Sequence, residues 1–507
     1  MDFDVVIAGG GPNGLMLAAE LRLAGVRPVV LERLPERATM PKANGLMGVV
    51  ARVLDARGLY EKVSGWAAPP AATPQFVFGG MRLDLRELAD NPMYAVQIPQ
   101  RRLEAVLEEH AAGLGAEIRR GVDVRGVTAH GSYVSVKTDG GELTAHFLVG
   151  CDGGRSTVRK LAGIDFPGVT DDDVVSRTAN VGLPTATGMS LPVPGHGGMA
   201  PFFFHRTATG VFIWARFEDA TTVNTMEWGN APEDDVPMTL DEMRASVRRV
   251  LGVDVPLEPP VLDRPPLLRR LSGNNTRIAA QFRQGRVFLA GDAAHVHAGI
   301  GAPGLNAGLQ DVVNLGWKLG AVINGWTPEG LLDTYHSERY PVAVRVAMQT
   351  QAQSALLAPG SKVTALRTLF EELLASPDNV GHIADTMSGN DIRYWPADHP
   401  LVGRLVPELA VTTTDGVVRL AELLRTGRPL LLDLAGVGDV AASWRDRVDV
   451  VAGVHPDHPA LLIRPDGFVA WAGITADGLV DALTRWFGSP TGSSPGPTLP
   501  PTGRPSP

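Results

Sequence analysis

The chain has 507 residues, 44% of them apolar and 20% charged, which is enough for about three soluble globular domains with ample cores. A net charge of −9 leaves no basic footprint for a polyanion, so nucleic-acid binding is not expected. The single cysteine, Cys151, excludes an internal disulfide, a cysteine-built iron–sulfur centre and a CxxC redox pair, while the lack of a membrane-length apolar run and of a leader before the first strand leads us to expect a cytoplasmic protein.

Residues 1–32 predict a complete βαβ dinucleotide fingerprint. A buried strand, Val5–Ala8, runs into a glycine turn, an amphipathic helix over Pro12–Ala24 and a second strand, Pro28–Leu31, that ends on Glu32. Gly9 permits the tight turn, Gly11 admits a pyrophosphate to the backbone, and Gly14 lets the helix pack close to the strand. The helix N-terminus offers free N–H groups and partial positive charge to phosphates. Glu32 stands where it can accept from a ribose diol. An adenine dinucleotide is expected, but the motif alone does not separate FAD from NAD.

A polar loop with Lys42 and Gly45 follows, either crossing a cofactor or serving as an ordinary loop, and then a helix over Val49–Gly58. Residues 76–98 alternate as short strands and turns. A helix is predicted from about Gln100 to Ala112, with Leu103, Val106, Leu107 and His110 on one face. Strands are predicted at 117–119, 123–130 and 133–138. The buried strand Phe147–Gly150 ends in Asp152-Gly153 before a helix start at Ser156. This segment suits a second nucleotide contact, and equally a strand–turn–helix joint with an Asx turn.

From 176 to 276 strands and long polar loops dominate. Segments 201–205 and 211–217 read as paired strands around Thr207–Gly210. Alternation puts Phe202 with Phe204, and Phe212 with Trp214, on single faces. Such a face either roofs a flat apolar ligand or fills a sheet core, and for any one residue the core is favoured. Gly195–Ala200 matches a dinucleotide motif by letter, but precedes a strand and is discarded. The strand before Gly291-Asp292 leads to Gly299, Gly301 and Gly304, read as a loop presenting N–H groups and a helix N-terminus. That helix is predicted to reach Ile323. Asp292 can bond a sugar hydroxyl or cap a helix. Residues 330–395 look helical, with breaks at Pro359-Gly360 and Gly389. Residues 400–487 form a separate unit with strands near 430, 450, 460 and 470 and a last helix over Asp477–Phe487. The Pro/Gly-rich stretch 488–507 is expected to be disordered.

Three segments together resemble the FAD-dependent aromatic hydroxylases, the group A flavoprotein monooxygenases of the para-hydroxybenzoate hydroxylase type. They are Gly9–Gly14 with Glu32, Cys151–Gly153 with Ser156 and Arg159, and Gly291–His295 continuing through Gly304–Leu319. Within that family the chain is most similar to actinobacterial hydroxylases of aromatic polyketides and to rifampicin monooxygenases, over roughly residues 1–487. The resemblance implies an α/β fold (α+β overall): a Rossmann-like FAD-binding domain of the glutathione-reductase type, an inserted mixed β-sheet substrate domain and a C-terminal thioredoxin-like domain. The expected division is 1–175 for the first FAD-binding part, with 76–99 contributing to the substrate sheet. The sheet domain follows at 176–276, the second FAD-binding part with helices at 277–395, and the thioredoxin-like unit without CxxC at 400–487.

The resemblance also implies roles. Gly9, Gly11 and Gly14 would hold the FAD pyrophosphate and Glu32 the adenosine ribose, with Pro12, Asn13 and Arg33 completing that set. Lys42 stands where the family usually has arginine, keeping the charge without the planar fork. Gln100 would contact the flavin side, and Val124, by its backbone, would lie near adenine. Asp152 would serve FAD and NAD(P)H together, and Asp292 the sugar-alcohol chain. Gly301, Ala302, Gly304, Leu305 and Asn306 would lie beside the isoalloxazine. There the family often reads His-Pro-Pro-x-Gly-Gly-Gln-Gly, whereas this chain reads His297 to Gly304 with its only proline at Pro303. Phe202, Phe204, Trp214 and Pro303 are the substrate-facing candidates. No metal and no obligatory catalytic side chain is identified. His205, His295 and His297 are candidate bases for a phenol, each with a structural role favoured.

The implied activity is NADH- or NADPH-consuming hydroxylation of an aromatic substrate, a polycyclic polyketide or a phenol, through a flavin hydroperoxide. The alternatives are Baeyer–Villiger oxidation, epoxidation or antibiotic inactivation on the same fold, and a non-catalytic flavoprotein that binds a biosynthetic intermediate. The expected partners are a small aromatic substrate and dioxygen, with no membrane, in a monomer or homodimer.

Overall fold

The computed structural model describes residues 1–38, 44–217, 220–229, 236–262, 265–301, 303–326, 328 and 330–491. The chain enters with β1 (Val5–Ala8), α1 (Pro12–Leu23) and β2 (Pro28–Glu32). It adds β3 (Glu117–Arg120) and β4 (Phe147–Gly150). It then leaves to build β5 (Gly168–Asn180), β6 (Gly210–Arg216), β7 (Thr221–Trp228), α2 (Leu240–Leu251) and β8 (Leu268–Ile278). It returns with β9 (Val287–Leu289), α3 (Pro303–Ile323) and α4 (Asp333–Leu357).

The first sheet has the order β9-β4-β1-β2-β3, all parallel, with the short strand Arg283–Gln284 antiparallel on its β9 edge. β1 and β4 are apolar without alternation because both faces of a parallel sheet are covered. The chain steps one way from β1 to β2 and the other way to β4. That reversal opens a crevice at the strands' C-terminal ends, where open α/β sheets bind ligands. α1 is buried from Leu15 to Leu21 rather than amphipathic, because the sheet and α3 enclose it. Gly316 and Gly320 of α3 permit that approach: a Cβ on either would fall 2.6 and 2.4 Å from the Cβ atoms of Glu20 and Ala24.

The second large sheet is antiparallel around β6-β7-β5-β8, with His205–Arg206 on one edge and His295–Val296 on the other. The expected limits of this unit at 175/176 and 276/277 fall inside β5 and β8, so the sheet runs over 168–278. The stretch 76–99 does not join it by hydrogen bonds. Gln75–Phe78 pairs with Met81–Asp84, and Ala95–Gln97 pairs with Gly45–Met47. The strand expected at 201–205 shrinks to His205–Arg206, because Phe202 takes a left-handed turn (φ 65°). Gly197–Met199 is a hairpin arm against Leu191–Val193.

After α4, helices span Ser361–Leu373 and Pro377–Ser388, the latter ended by Gly389 in the left-handed region. The C-terminal unit has a four-stranded sheet in the order Asp449–Ala452, Leu430–Asp433, Ala460–Ile463, Val469–Gly473, and a closing helix Leu479–Phe487. Most of the predicted tail, from 492 on, lies outside the described residues. No helix among the described residues is long and apolar enough to cross a membrane.

Candidate active site

The three segments expected to meet a dinucleotide form one rim at the C-terminal ends of β1, β4 and β9. Gly9 (φ +106°) is pressed against Cys151, whose carbonyl oxygen would lie 2.4 Å from a Cβ at that position. Gly14 is tighter still, with its Cβ position 1.9 Å from the Gly9 carbonyl oxygen. Both glycines are therefore demanded by the fold itself. Gly11 differs, because no atom of the described residues lies within 4 Å of its Cβ position. That open space faces the first turn of α1, which carries no acid and no side-chain cap, so its N–H groups are available to an anion.

The Glu32 carboxylate accepts from the N–H groups of Gly10 (2.7 Å) and Leu34 (2.8 Å). These bonds fix it at the strand end and leave acceptor sites for a diol. Arg33 beside it is exposed. Asp152 accepts from the N–H groups of Thr157 (2.7 Å) and Val158 (3.0 Å) through Oδ2, while its buried Oδ1 has no partner among the described residues. Ser156 caps the same helix at the N–H of Arg159 (2.9 Å). One oxygen of Asp152 thus serves the turn, and the other makes no hydrogen bond among the described residues.

The third segment closes on the first two. A Cβ on Gly154 would lie 2.9 Å from Val296, and one on Gly291 would lie 1.9 Å from Asn13 Nδ2. The Asn13 side chain is wedged between Gly291 and Gly308. Pro12 is buried at the first position of α1. Asp292 is exposed in the single turn Gly291–Ala293. Gly304 approaches both His297 and Asp292, at 3.1 and 3.9 Å from its Cβ position. The side-chain oxygen of Asn306 accepts from the N–H of Met47 (3.0 Å), which ties the first turn of α3 to Gly45–Met47. Leu305 packs on the main core, and Gly301 has φ +77°. Gln100 donates to Glu104 (2.8 Å), and Val124 is buried where its strand begins. Lys42 and Ala302 lie outside the described residues.

The histidines divide by environment. His295 Nε2 lies 2.7 Å from Asp311 Oδ2, and Asp311 also accepts from Arg339 Nε (2.7 Å) and the Gly291 N–H (3.1 Å). Burial alone would raise the Asp311 carboxyl, but Arg339 and His295 overcome it and hold it below the usual range. His297 is pushed down to about 4, first by burial and then by His295, and its buried Nε2 has no partner among the described residues. It is neutral at physiological pH. His205 lies 2.8 Å from the Ala200 carbonyl, and burial lowers it too.

The four substrate-facing candidates do not converge. Trp214 and Phe212 are fully buried on the sheet face that packs on α2, and Trp214 Nε1 donates to the Met199 carbonyl (3.0 Å). Trp214 is thus a core residue, because α2 covers the face it shares with Phe212. Phe202 packs edge-on against Phe217, with ring centroids 5.7 Å apart. Phe204 joins the opposite face, in a cluster with Val174, Val211, Ile213, Met226, Ala298 and Ile300. Pro303 lines a cavity of about 430 Å³ between α3, α4 and residues 386–394, together with Asn306, Gln349 and Met387.

The sheet face that meets the 298–300 loop carries a row missed in the sequence, aligned by register: apolar Ile213, then the polar residues Asn224, Thr178 and Arg269. The Thr178 hydroxyl donates to Asn224 Oδ1 (2.7 Å). Alternation over 174–180, with Val174, Ser176 and Thr178 against Val175, Arg177 and Ala179, is the signal that could have found it.

Comparison with known proteins completes the picture. Residues 2–350 match the FAD binding domain family, and residues 399–490 match the aromatic-ring hydroxylase, C-terminal family. The chain is 41% identical over 516 residues to the 12-dehydrotetracycline 5-monooxygenase/anhydrotetracycline 6-monooxygenase of Streptomyces rimosus, covering 97% of this chain and 100% of the relative. It is 39% identical over 502 residues to a rifampicin monooxygenase of Streptomyces venezuelae, covering 96% and 99%. Among solved structures it is similar to the OxyS anhydrotetracycline hydroxylase of Streptomyces rimosus, with a TM-score of 0.85, 38% identity and coverage of 97% and 100%.

Proposed function

The chain belongs to the family of FAD-binding aromatic-ring hydroxylases, and on that premise we propose how its residues serve the reaction. It is an FAD-dependent monooxygenase acting on aromatic compounds. The observation that carries the assignment is the open space at Gly11, in front of the uncapped N-terminus of α1, framed by two glycines locked against backbone.

FAD, once bound, supplies reduction by NADH or NADPH and oxygen transfer from dioxygen. The diphosphate is held by the N–H groups of the α1 first turn at Gly11–Gly14, and the adenosine ribose by Glu32, with Arg33 and the backbone of Val124 nearby. Asp152 Oδ1 and Asp292 accept from the hydroxyls of the polyol chain. Gly301, Gly304, Leu305 and Asn306 carry the α3 N-terminus, whose partial positive charge favours an anionic ring system. Neutral His297 offers one hydrogen bond there. Lys42, Ala302 and Gln100 complete the cofactor set. The substrate is a polycyclic aromatic, in keeping with the anhydrotetracycline and rifampicin named for the relatives. It lies between the 298–300 loop and the β6-β7-β5-β8 face, where Ile213, Met226 and Phe204 exclude water and Asn224 and Thr178 orient polar groups.

The FAD-binding part takes the Rossmann-like sheet on both sides of an inserted substrate domain at 168–278. The unit at 400–487 is thioredoxin-like in architecture, serves packing, and has no disulfide chemistry. A cytoplasmic monomer or homodimer suits this arrangement.

The test is purification, flavin quantitation, and NAD(P)H consumption with a panel of polycyclic phenols that includes anhydrotetracycline. We expect bound FAD, consumption that rises with substrate, and a product heavier by one oxygen. A protein that holds no flavin and takes none up overturns the assignment.

A further inference from the structure

Arginine stays charged in proteins, so a guanidinium withdrawn from water needs acceptors. Most arginines here follow that rule. Arg177 meets Glu227 and Glu242, Arg339 meets Asp311, Arg464 meets Glu338, and Arg286 reaches the Gly131 carbonyl. Arg269 does not. It is half-buried, its Nε is shielded from solvent, and it has no hydrogen-bond, ion-pair or ring partner among the described residues. It lies near the start of β8, which at that point is the outer strand of the sheet. Strand register places it opposite Thr178, in the row that runs through Asn224 to Ile213. Ile213 packs with Ala298 and Ile300 of the loop that leads into α3. The next residue, Arg270, points to the other face and pairs with Glu242 (2.5 Å), so the lack of a partner belongs to the loop-facing side alone.

We propose that Arg269 is the substrate's anion anchor, and that the enzyme takes aromatic substrates bearing an ionised two-oxygen group: a carboxylate or the chelated enolate of a β-dicarbonyl. This rests on the assignment of the substrate to the β6-β7-β5-β8 face. Thr178 and Asn224 stand beside the anchor as neutral partners for an adjacent hydroxyl or carbonyl. The planar fork of arginine suits a two-oxygen acceptor such as a carboxylate or a chelated enolate. Burial lowers Arg269's affinity for its proton, which marks the cost of leaving the site unpartnered.

The test compares wild type, Arg269→Met and Arg269→Lys. Each is titrated by calorimetry with anhydrotetracycline and with the pair 1-hydroxy-2-naphthoate and 1-naphthol, which differ by the carboxylate. Flavin content is read separately by absorbance, and folding by thermal denaturation. Wild type is expected to bind 1-hydroxy-2-naphthoate more tightly than 1-naphthol. Arg269→Met should weaken the two anionic probes about tenfold or more, as for a lost charge-assisted hydrogen bond, while 1-naphthol changes less than about twofold. Arg269→Lys should fall between. The proposal is overturned if wild type shows no preference within the pair, or if Arg269→Met weakens 1-naphthol equally. It is also overturned if that variant raises KM for NADPH over NADH and leaves aromatic binding unchanged, which would give Arg269 to the dinucleotide phosphate. Absent flavin with intact anion binding would instead overturn the monooxygenase assignment and leave the anchor standing.

Discussion

Arg464 and Glu338, 126 residues apart, are joined by hydrogen bonds of 2.7 and 2.9 Å deep inside the protein. Arg464 also bonds Asp466, and Glu338 accepts from Lys318 (2.7 Å) and Asn314 (2.7 Å). The Arg464 guanidinium lies over the rings of Trp486 and Trp317, at 4.5 and 5.0 Å from their centroids. One buried charge cluster thereby fastens the C-terminal unit to α3 and α4.

Removing one member of that cluster strands the others. Glu338→Gln keeps the shape but leaves Arg464 and Lys318 short of a carboxylate. A loss of about 3–5 kcal/mol is expected, the usual cost of breaking a buried pair. Denaturant unfolding followed by tryptophan fluorescence measures it. Burial would raise the Glu338 carboxyl, but Arg464 and Lys318 hold it at about 2. Its stabilisation is complete above its ordinary value of 4.5 and is lost as pH falls toward 2.

Gly11 and Gly14 should separate cofactor binding from folding. Gly14→Ala forces a Cβ onto the Gly9 carbonyl and should lower the Tm of flavin-free protein sharply. Gly11→Ala meets no atom of the described residues, so that Tm should barely move. The same methyl occupies the space proposed for the diphosphate, so FAD affinity should drop by about tenfold or more. Equal affinities for FAD in wild type and Gly11→Ala would refute the placement.

Trp214→Ala should behave as a core deletion. A loss of about 3–5 kcal/mol is expected from its complete burial. Trp214→Phe should recover much of that stability and bind polycyclic probes as wild type does. A selective loss of probe affinity in a stable Trp214→Phe would return this residue to the substrate site.

His297 should leave a signature in the pH dependence of stability. Its folded pKa of about 4 lies below the ordinary 6.5, so the unfolded chain binds the extra proton first. Its contribution is present above pH 6.5 and lost as pH falls toward 4. His297→Gln should flatten the Tm profile of flavin-free protein over that window. An unchanged slope would show that the ring is not held neutral.

The sequence by itself determined the dinucleotide rim. Gly9, Gly11, Gly14 and Glu32 are legible because local backbone geometry dictates each of them within one βαβ unit. Asp152 and Asp292 were legible as acids placed where a strand ends, although only the structure shows that Asp152 commits one oxygen to the turn at Thr157 and Val158. The substrate side was decided by tertiary structure. Alternation reveals that Phe212 and Trp214 share a face and leaves core and ligand roof both open; only the packing of α2 on that face makes both residues core. Ile213 and Arg269 were invisible for the same reason: what faces a strand is set by elements far away in the chain. No local pattern announces that an arginine lacks a partner, since a partner is a property of the packed neighbourhood.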